Sequence, residues 1–201
     1  IERPFDRPAI IILIKNFLDS ISMPFYNNGQ IWVHSVINRP ALDFVSAGCL
    51  FTGMIFFIKK YIYNKDWESA GLLYSIPLLV MPSILSLAYP GENPSLNRSA
   101  GALVPIFVIA GVGFYQFLCS IKRINQNKWM ISITVLAACV LISFSAISNF
   151  QLVFIDYKEQ FDTNSWNSSE MGQVIVDFIH DGNNPDDAYV IPFPHWGDTR
   201  L

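Results

Sequence analysis

Arg98 is the residue for which the sequence indicates chemistry most clearly. It is the single basic residue in the segment 90–105, PGENPSLNRSAGALVP, and it precedes a long apolar stretch by two positions. A guanidinium near a helix N-terminus can bind a phosphate through paired hydrogen bonds, and the first amide N–H groups of the helix add to the attraction. An anchor to lipid headgroups or an ion pair with Glu92 is the structural alternative. The residue types therefore predict a phosphate site at Arg98 and leave that alternative open.

Asp43 and the histidines are weaker candidates. Asp43 stands directly before an apolar stretch, where a carboxylate can be functional, but helix N-termini also favour acidic residues without any function. His195, followed by Asp198, has the residue types of a metal site, but such spacing alone is weak support. We therefore predict a helix cap at Asp43, and for His34 and His195 histidines satisfied within turns.

Several other kinds of site are not indicated by the sequence. The cysteines Cys49, Cys119 and Cys139 lie in apolar stretches without zinc or disulfide spacing, and no phosphate-binding loop or nucleophile motif is present. The triplets beginning at Asn97 and Asn167 match the glycosylation acceptor pattern, which matters in a eukaryotic secretory pathway alone. We predict no metal ligand, and the sequence names no cofactor.

The elements that must position Arg98 are membrane helices. Hydrophobic residues make up 52% of the chain and charged residues 14%, against about 25% in globular proteins. A helix needs about 20 apolar residues to cross a bilayer. Candidate spans lie near 44–62, 70–89, 100–121 and 129–150. The net charge of −3 offers no basic field for nucleic acid.

Basic residues gather in alternate gaps between these spans, which predicts the orientation in the plasma membrane. The loops 59–69 and 122–128 are rich in lysine and arginine, as cytoplasmic loops are. Residues 1–43, 90–99 and 151–201 are then extracytoplasmic.

The two outer segments have patterns of their own. Residues 9–21 are apolar but broken by Lys15 and Asp19, which predicts a helix at the interface. In the tail, an apolar stripe of helical spacing ends before Gly182, and the run 188–193 is typical of a strand. The predicted fold is mainly α: a membrane domain of about four helices over 44–150, then the start of a small extracytoplasmic α/β domain over 151–201. We interpret the chain as a piece of a longer protein.

A family resemblance rests on three motifs in this order. They are HSVINRPALD (34–43), LSLAYPGENPSLNRSAGALVP (85–105) and YVIPFPHWGDTR (189–200). With these motifs, roughly residues 10–201 resemble the C-terminal part of bacterial membrane glycosyltransferases of the C-type superfamily, related to the dolichyl-phosphate-mannose–protein mannosyltransferases.

The resemblance implies transfer of a sugar from a polyprenyl-phosphate carrier to an acceptor on the outer face of the membrane. It implies that Arg98 faces the carrier phosphate, with Asn97 and Glu92 beside it. The catalytic acidic residue of such enzymes belongs to a first outer loop that this chain lacks, so no catalytic residue is expected here. The implied partners are the lipid-linked sugar and membrane lipid.

Two other functions stay open. A subunit that transports the lipid carrier would need ionisable residues within its spans. The last three predicted spans contain no charged residue, although the polar Gln116 lies in one of them. A non-catalytic anchor that displays an outer domain would need no special residue in the segment 90–105.

Overall fold

The computed structural model of the protein describes residues 7–124, 128–164 and 168–188. They form helices joined by turns and loops, and no strand occurs among them. The α-helices are α1 (Ala9–Ser22), α2 (Phe44–Asn64), α3 (Trp67–Leu79), α4 (Met81–Ile84), α5 (Leu103–Ile124), α6 (Lys128–Gln151), α7 (Tyr157–Asn164) and α8 (Ser168–His180). The chain divides into two compact units, residues 1–157 and 158–201.

Three helical stretches are long and apolar enough to cross a membrane. They are Phe44–Asn64, Ala100–Ile121 and Trp129–Asn164. The first is the predicted span near 44–62, and it ends where Lys65 adopts a left-handed conformation with φ 53°. The described residues therefore have the helices of an integral membrane protein, as the composition predicts.

The single helix predicted over 70–89 is not formed. α3 ends at Leu79 after 13 residues, Val80 forms a turn, and α4 has four residues. Pro82 explains the break, because it stands at the start of α4 and has no N–H to donate to the Leu78 carbonyl four residues before it, whereas α3 continues past Pro77. The prediction of one continuous second span is therefore wrong.

α2 and α5 make the closest helix contact in unit 1–157. A Cβ added at Gly113 would collide with the carbonyl oxygen of Cys49, and one added at Gly53 with that of Ile109. The absence of side chains at both glycines lets the two backbones touch, as small residues do between membrane helices. Leu50 and Ile109 are fully buried beside this contact.

Both helices predicted in the segments 1–43 and 151–201 are present. The helix predicted over 9–21 is α1, and the amphipathic helix of the tail is α8, followed by Gly182 with φ 87°. Ala188 is not in a strand, and the rest of the predicted strand, 189–193, lies outside the described residues. The α/β tail therefore stays a prediction.

Candidate functional site

Arg98 belongs to a region that we call the polar cap. The polar cap consists of α1, the loop 23–43 and the segment 81–102, which are joined by hydrogen bonds. Ala41 N–H donates to the Met23 carbonyl at 3.0 Å, so the loop returns to the end of α1 just before α2 begins. Asn16 Nδ2 donates to the Ile84 carbonyl at 3.1 Å and so ties α1 to α4.

Arg98 is held by two partners from its own segment. Its Nη1 donates to Ser86 Oγ at 2.6 Å, and its Nη2 lies 2.6 Å from Glu92 Oε2. The side chains of Arg98 and Glu92 are 32% and 46% exposed. The structural alternative, an ion pair with Glu92, is thus present. Since these two hydrogen bonds use only part of the donor set of a guanidinium, N–H groups remain for a further acceptor.

Ser83 organises the segment that carries Glu92. Its hydroxyl donates to Asn93 Oδ1 and accepts from the Ser95 N–H at 3.1 Å. Ser99 N–H in turn donates to the Ser95 carbonyl at 3.1 Å, which leads the chain into the helical turn before α5. Because Ser83, Asn93 and Ser95 are all buried, the segment has a defined conformation and Arg98 a defined position.

Asn97, the third predicted site residue, is exposed, and its carbonyl accepts from the Ala100 N–H at 3.3 Å. This hydrogen bond makes Asn97 part of the turn that starts the next helical stretch. The structure thus brings Glu92 to Arg98, whereas Asn97 is adjacent to Arg98 in sequence alone.

The loop 23–43 is held by Asn28. Its Nδ2 donates to Ser35 Oγ at 2.8 Å and to the Val36 carbonyl at 2.7 Å, while its N–H donates to the Arg39 carbonyl at 2.7 Å. The side chain thus replaces backbone hydrogen bonds that a regular element would supply. Gly29, with φ 93°, follows it and contacts the Pro94 carbonyl, where an added Cβ would collide.

A polar cavity of about 270 Å³ lies where α1, this loop and the segment 90–94 meet. Hydroxyl, amide, carboxylate and ammonium groups predominate among its lining side chains. They come from Lys15, Asp19, Ser22, Tyr26, Asn27, Gln30 and Asn93. Sequence reasoning did not find this cavity, although the Asn27-Asn28-Gly29 turn and the polar residues of α1 were its visible signals.

Asp43 caps α2, as predicted. Its Oδ1 accepts from the N–H groups of Val45 and Ser46 at 3.0 and 3.1 Å, and Asn149 Nδ2 donates to its Oδ2 at 3.2 Å. Burial raises the pKa of the Asp43 carboxyl, but the hydrogen bonds from Ser46, Asn149 and Ser145 outweigh it, so the pKa lies below its usual value. The carboxylate therefore stays charged and links α2 to α6.

An apolar groove of about 410 Å³ begins beside Asp43 between α2, α5 and α6. Its walls are largely small or apolar side chains, among them Cys49, Gly111 and Ala146. It differs from the polar cavity in having hardly any hydrogen-bonding group to offer a ligand.

No group of three potential metal ligands occurs within residues 7–124, 128–164 and 168–188. His34 is exposed, and its N–H donates to the Ile31 carbonyl at 3.3 Å within a turn. The other metal candidate, His195 with Asp198, lies outside the described residues, as does the acceptor residue Asn167 of one glycosylation pattern.

Comparisons with known proteins found no matching family model, no similar curated protein and no similar solved structure.

Proposed function

We propose that this chain is a membrane module that binds a polyprenyl-phosphate-linked sugar, with Arg98 contacting the carrier phosphate, and that it serves transfer of the sugar on the outer face. The observation that carries the proposal is the setting of Arg98. Its guanidinium is partly buried, is oriented by Ser86 and Glu92, and makes only these two hydrogen bonds to the part of the chain that the structure describes.

Glu92 does not prevent phosphate binding. The ion pair is between partly exposed side chains, so it contributes about 0–1 kcal/mol. A guanidinium has five N–H groups and Glu92 accepts from one of its nitrogens, so a phosphate can bind beside Glu92 or take its place. Ser86 keeps the guanidinium oriented in either case.

The proposed topology places the polar cap outside and the loops 59–69 and 122–128 in the cytoplasm. Lys60 and Asp66 pair at 2.8 Å near the end of α2, whereas α4 contacts α1, which connects to the start of α2. The chain between Asp66 and α4 thus runs back along α2, and α3 alone covers about 20 Å of that path. These contacts support a second crossing by a broken helix.

Binding of geranylgeranyl phosphate tests the proposal. The full chain in lipid nanodiscs is titrated with this phosphate and with geranylgeraniol, for the wild type and for Arg98→Ala. We expect the variant to bind the phosphate about 10–100-fold more weakly, since charge-assisted hydrogen bonds are lost, and to bind the alcohol unchanged. Arg39→Ala, which removes another arginine of the polar cap, is the matched control and should behave as the wild type.

Glu92→Gln separates a binding arginine from a structural one. If Arg98 binds phosphate, removal of the competing carboxylate should strengthen phosphate binding by about 2–5-fold, because the lost ion pair contributes up to about 1 kcal/mol. Unchanged phosphate binding in Arg98→Ala would contradict the proposal and favour a non-catalytic anchor.

A further inference from the structure

We infer that the polar cavity binds a neutral polyol of monosaccharide size. The cavity measures about 270 Å³, just below the usual range of about 300–1,000 Å³ for small-molecule sites, so its ligand is compact. Its position between α1, the loop 23–43 and the segment 90–94 gives it three separate walls.

The lining favours a ligand with many hydroxyl groups. Ser22, Gln30 and Asn27 present a hydroxyl and two amides, and amides both donate and accept hydrogen bonds. Tyr26, which is 75% exposed, adds an aromatic face at the same cavity. Donors and acceptors beside one aromatic ring match a sugar, which has hydroxyls at its edge and C–H groups on its face.

The charges of the cavity cancel. Lys15 and Asp19 are the charged residues of the described lining, and Lys15 Nζ lies 2.5 Å from Asp19 Oδ2. An anion would meet the Asp19 carboxylate, and a cation would meet the Lys15 ammonium. A neutral polyol instead donates to the carboxylate and accepts from the ammonium without disturbing the pair.

The walls are held in place before any ligand arrives. Asn27 Oδ1 accepts from the Gly29 N–H at 2.8 Å, and Gly29 with φ 93° packs on the Pro94 carbonyl. Asn93, which is 7% exposed, is fixed by the hydrogen bond that its Oδ1 accepts from the Ser83 hydroxyl. A preformed wall lowers the entropy lost on binding.

Glu92 connects the cavity to Arg98. It lies between Gly91 and Asn93, which line the cavity, and pairs with the guanidinium. A sugar in the cavity and a phosphate at Arg98 would therefore contact the same short segment. Identification of the polyol as the sugar of the lipid-linked donor rests on the proposed function, whereas binding of a neutral polyol does not.

Ligand-observed saturation-transfer NMR on the full chain in nanodiscs tests the inference. The probes are the methyl glycosides of glucose, mannose and arabinose. We expect saturation transfer to at least one of them, and loss of at least 10-fold in affinity in Ser22→Phe, which fills the cavity. Ser120→Phe is the matched control, because Ser120 is an exposed helical serine whose hydroxyl also bonds a carbonyl of its own helix.

Gln30→Ala covers the case in which Ser22→Phe fails to fold, since Gln30 is exposed in the loop. It should weaken glycoside binding by about 2–10-fold, as expected for one neutral hydrogen bond. No saturation transfer to any probe would overturn the inference. Equal transfer in Ser22→Phe and Ser120→Phe would show that the glycosides bind elsewhere and would overturn it as well.

Arg98→Ala distinguishes the two proposals. Glycoside binding should survive this substitution, because Arg98 does not line the cavity. If glycosides bind but the affinity for geranylgeranyl phosphate is unchanged in Arg98→Ala, the phosphate proposal fails alone. If phosphate binding depends on Arg98 but no glycoside binds, the cavity inference fails alone.

Discussion

The α2–α5 contact and the polar cap are joined by opposite means. At the helix contact, Gly53 and Gly113 allow backbone to touch backbone, and no side-chain hydrogen bond is needed. In the polar cap, buried side chains such as Asn16, Asn28 and Ser83 make hydrogen bonds to backbone and side-chain groups across the loops. The helix contact depends on the absence of side chains at its glycines, and the polar cap depends on the hydrogen-bonding groups of its side chains.

This difference follows from the surroundings of each region. Lipid is as apolar as leucine, so two membrane helices gain little from hydrophobic burial and associate through close packing. The loops of the polar cap have backbone groups that no helix satisfies, and buried polar side chains supply the partners. Substitutions that add volume should therefore damage the first region most, and substitutions that delete polar atoms the second.

Gly113→Ala should have the largest effect on stability. The new Cβ meets the backbone oxygen of Cys49, which cannot rotate away, so we expect a loss of about 3 kcal/mol in the free energy of unfolding. Titration with SDS from mixed micelles measures it. Gly111→Ala is the matched control: no atom lies within 4 Å of its added Cβ, and alanine favours helix by about 1 kcal/mol. Equal losses in both variants would refute the packing role of Gly113.

Asn16→Ala should destabilise the polar cap by about 2 kcal/mol. It removes the donor to the Ile84 carbonyl, which then stays buried without that partner. Asn183→Ala is the control, because its Nδ2 bonds the Phe178 carbonyl at an exposed site and its loss should matter by less than about 0.5 kcal/mol. Proteolysis of the loop 23–43 in nanodiscs reports the local effect. Resistance equal to that of the wild type would contradict it.

Asp43→Ala should have the smallest of these effects, about 1 kcal/mol, as for other N-caps. Because the pKa of Asp43 in the folded protein lies below 3.8, the usual value for aspartate, its contribution is present above that pH and falls as the pH drops through the folded pKa. Asp43→Asn retains a capping oxygen and should lose this acid dependence. The pH dependence is measured by thermal denaturation between about pH 6 and pH 3. If Asp43→Asn has the same acid dependence as the wild type, another group is responsible for it.

Much of the fold was predictable because it depends on local pattern. The lengths of the apolar stretches predicted α2, α5 and α6, and the interrupted run at Lys15 and Asp19 predicted α1. The helix over 70–89 was predicted wrongly, since hydropathy ignores that Pro82 has no N–H with which to continue the helix. The tail beyond Ala188 remains untested by the described residues.

The site was predictable to a lesser extent. Arg98 and its possible pairing with Glu92 follow from their closeness in sequence, and Asp43 was identified as a cap. The cavity was missed because Lys15, Gln30 and Asn93 come from three distant segments. On α1, the charges of Lys15 and Asp19 stand out in the sequence, whereas the buried polar residues are Asn16 and Ser20, each one position further along.

The amino-acid sequence by itself determined that this is a helical membrane protein. A chain in lipid must satisfy its backbone hydrogen bonds within each helix, and each helix needs about 20 apolar residues to cross the bilayer. Only the tertiary structure decided which glycines touch a neighbouring helix, which asparagines are buried, and that a polar cavity lies between α1, the loop 23–43 and the segment 90–94. Those features depend on contacts such as Asn16 with Ile84 and Asp43 with Asn149. Their residues are far apart in the chain, and packing alone brings them together.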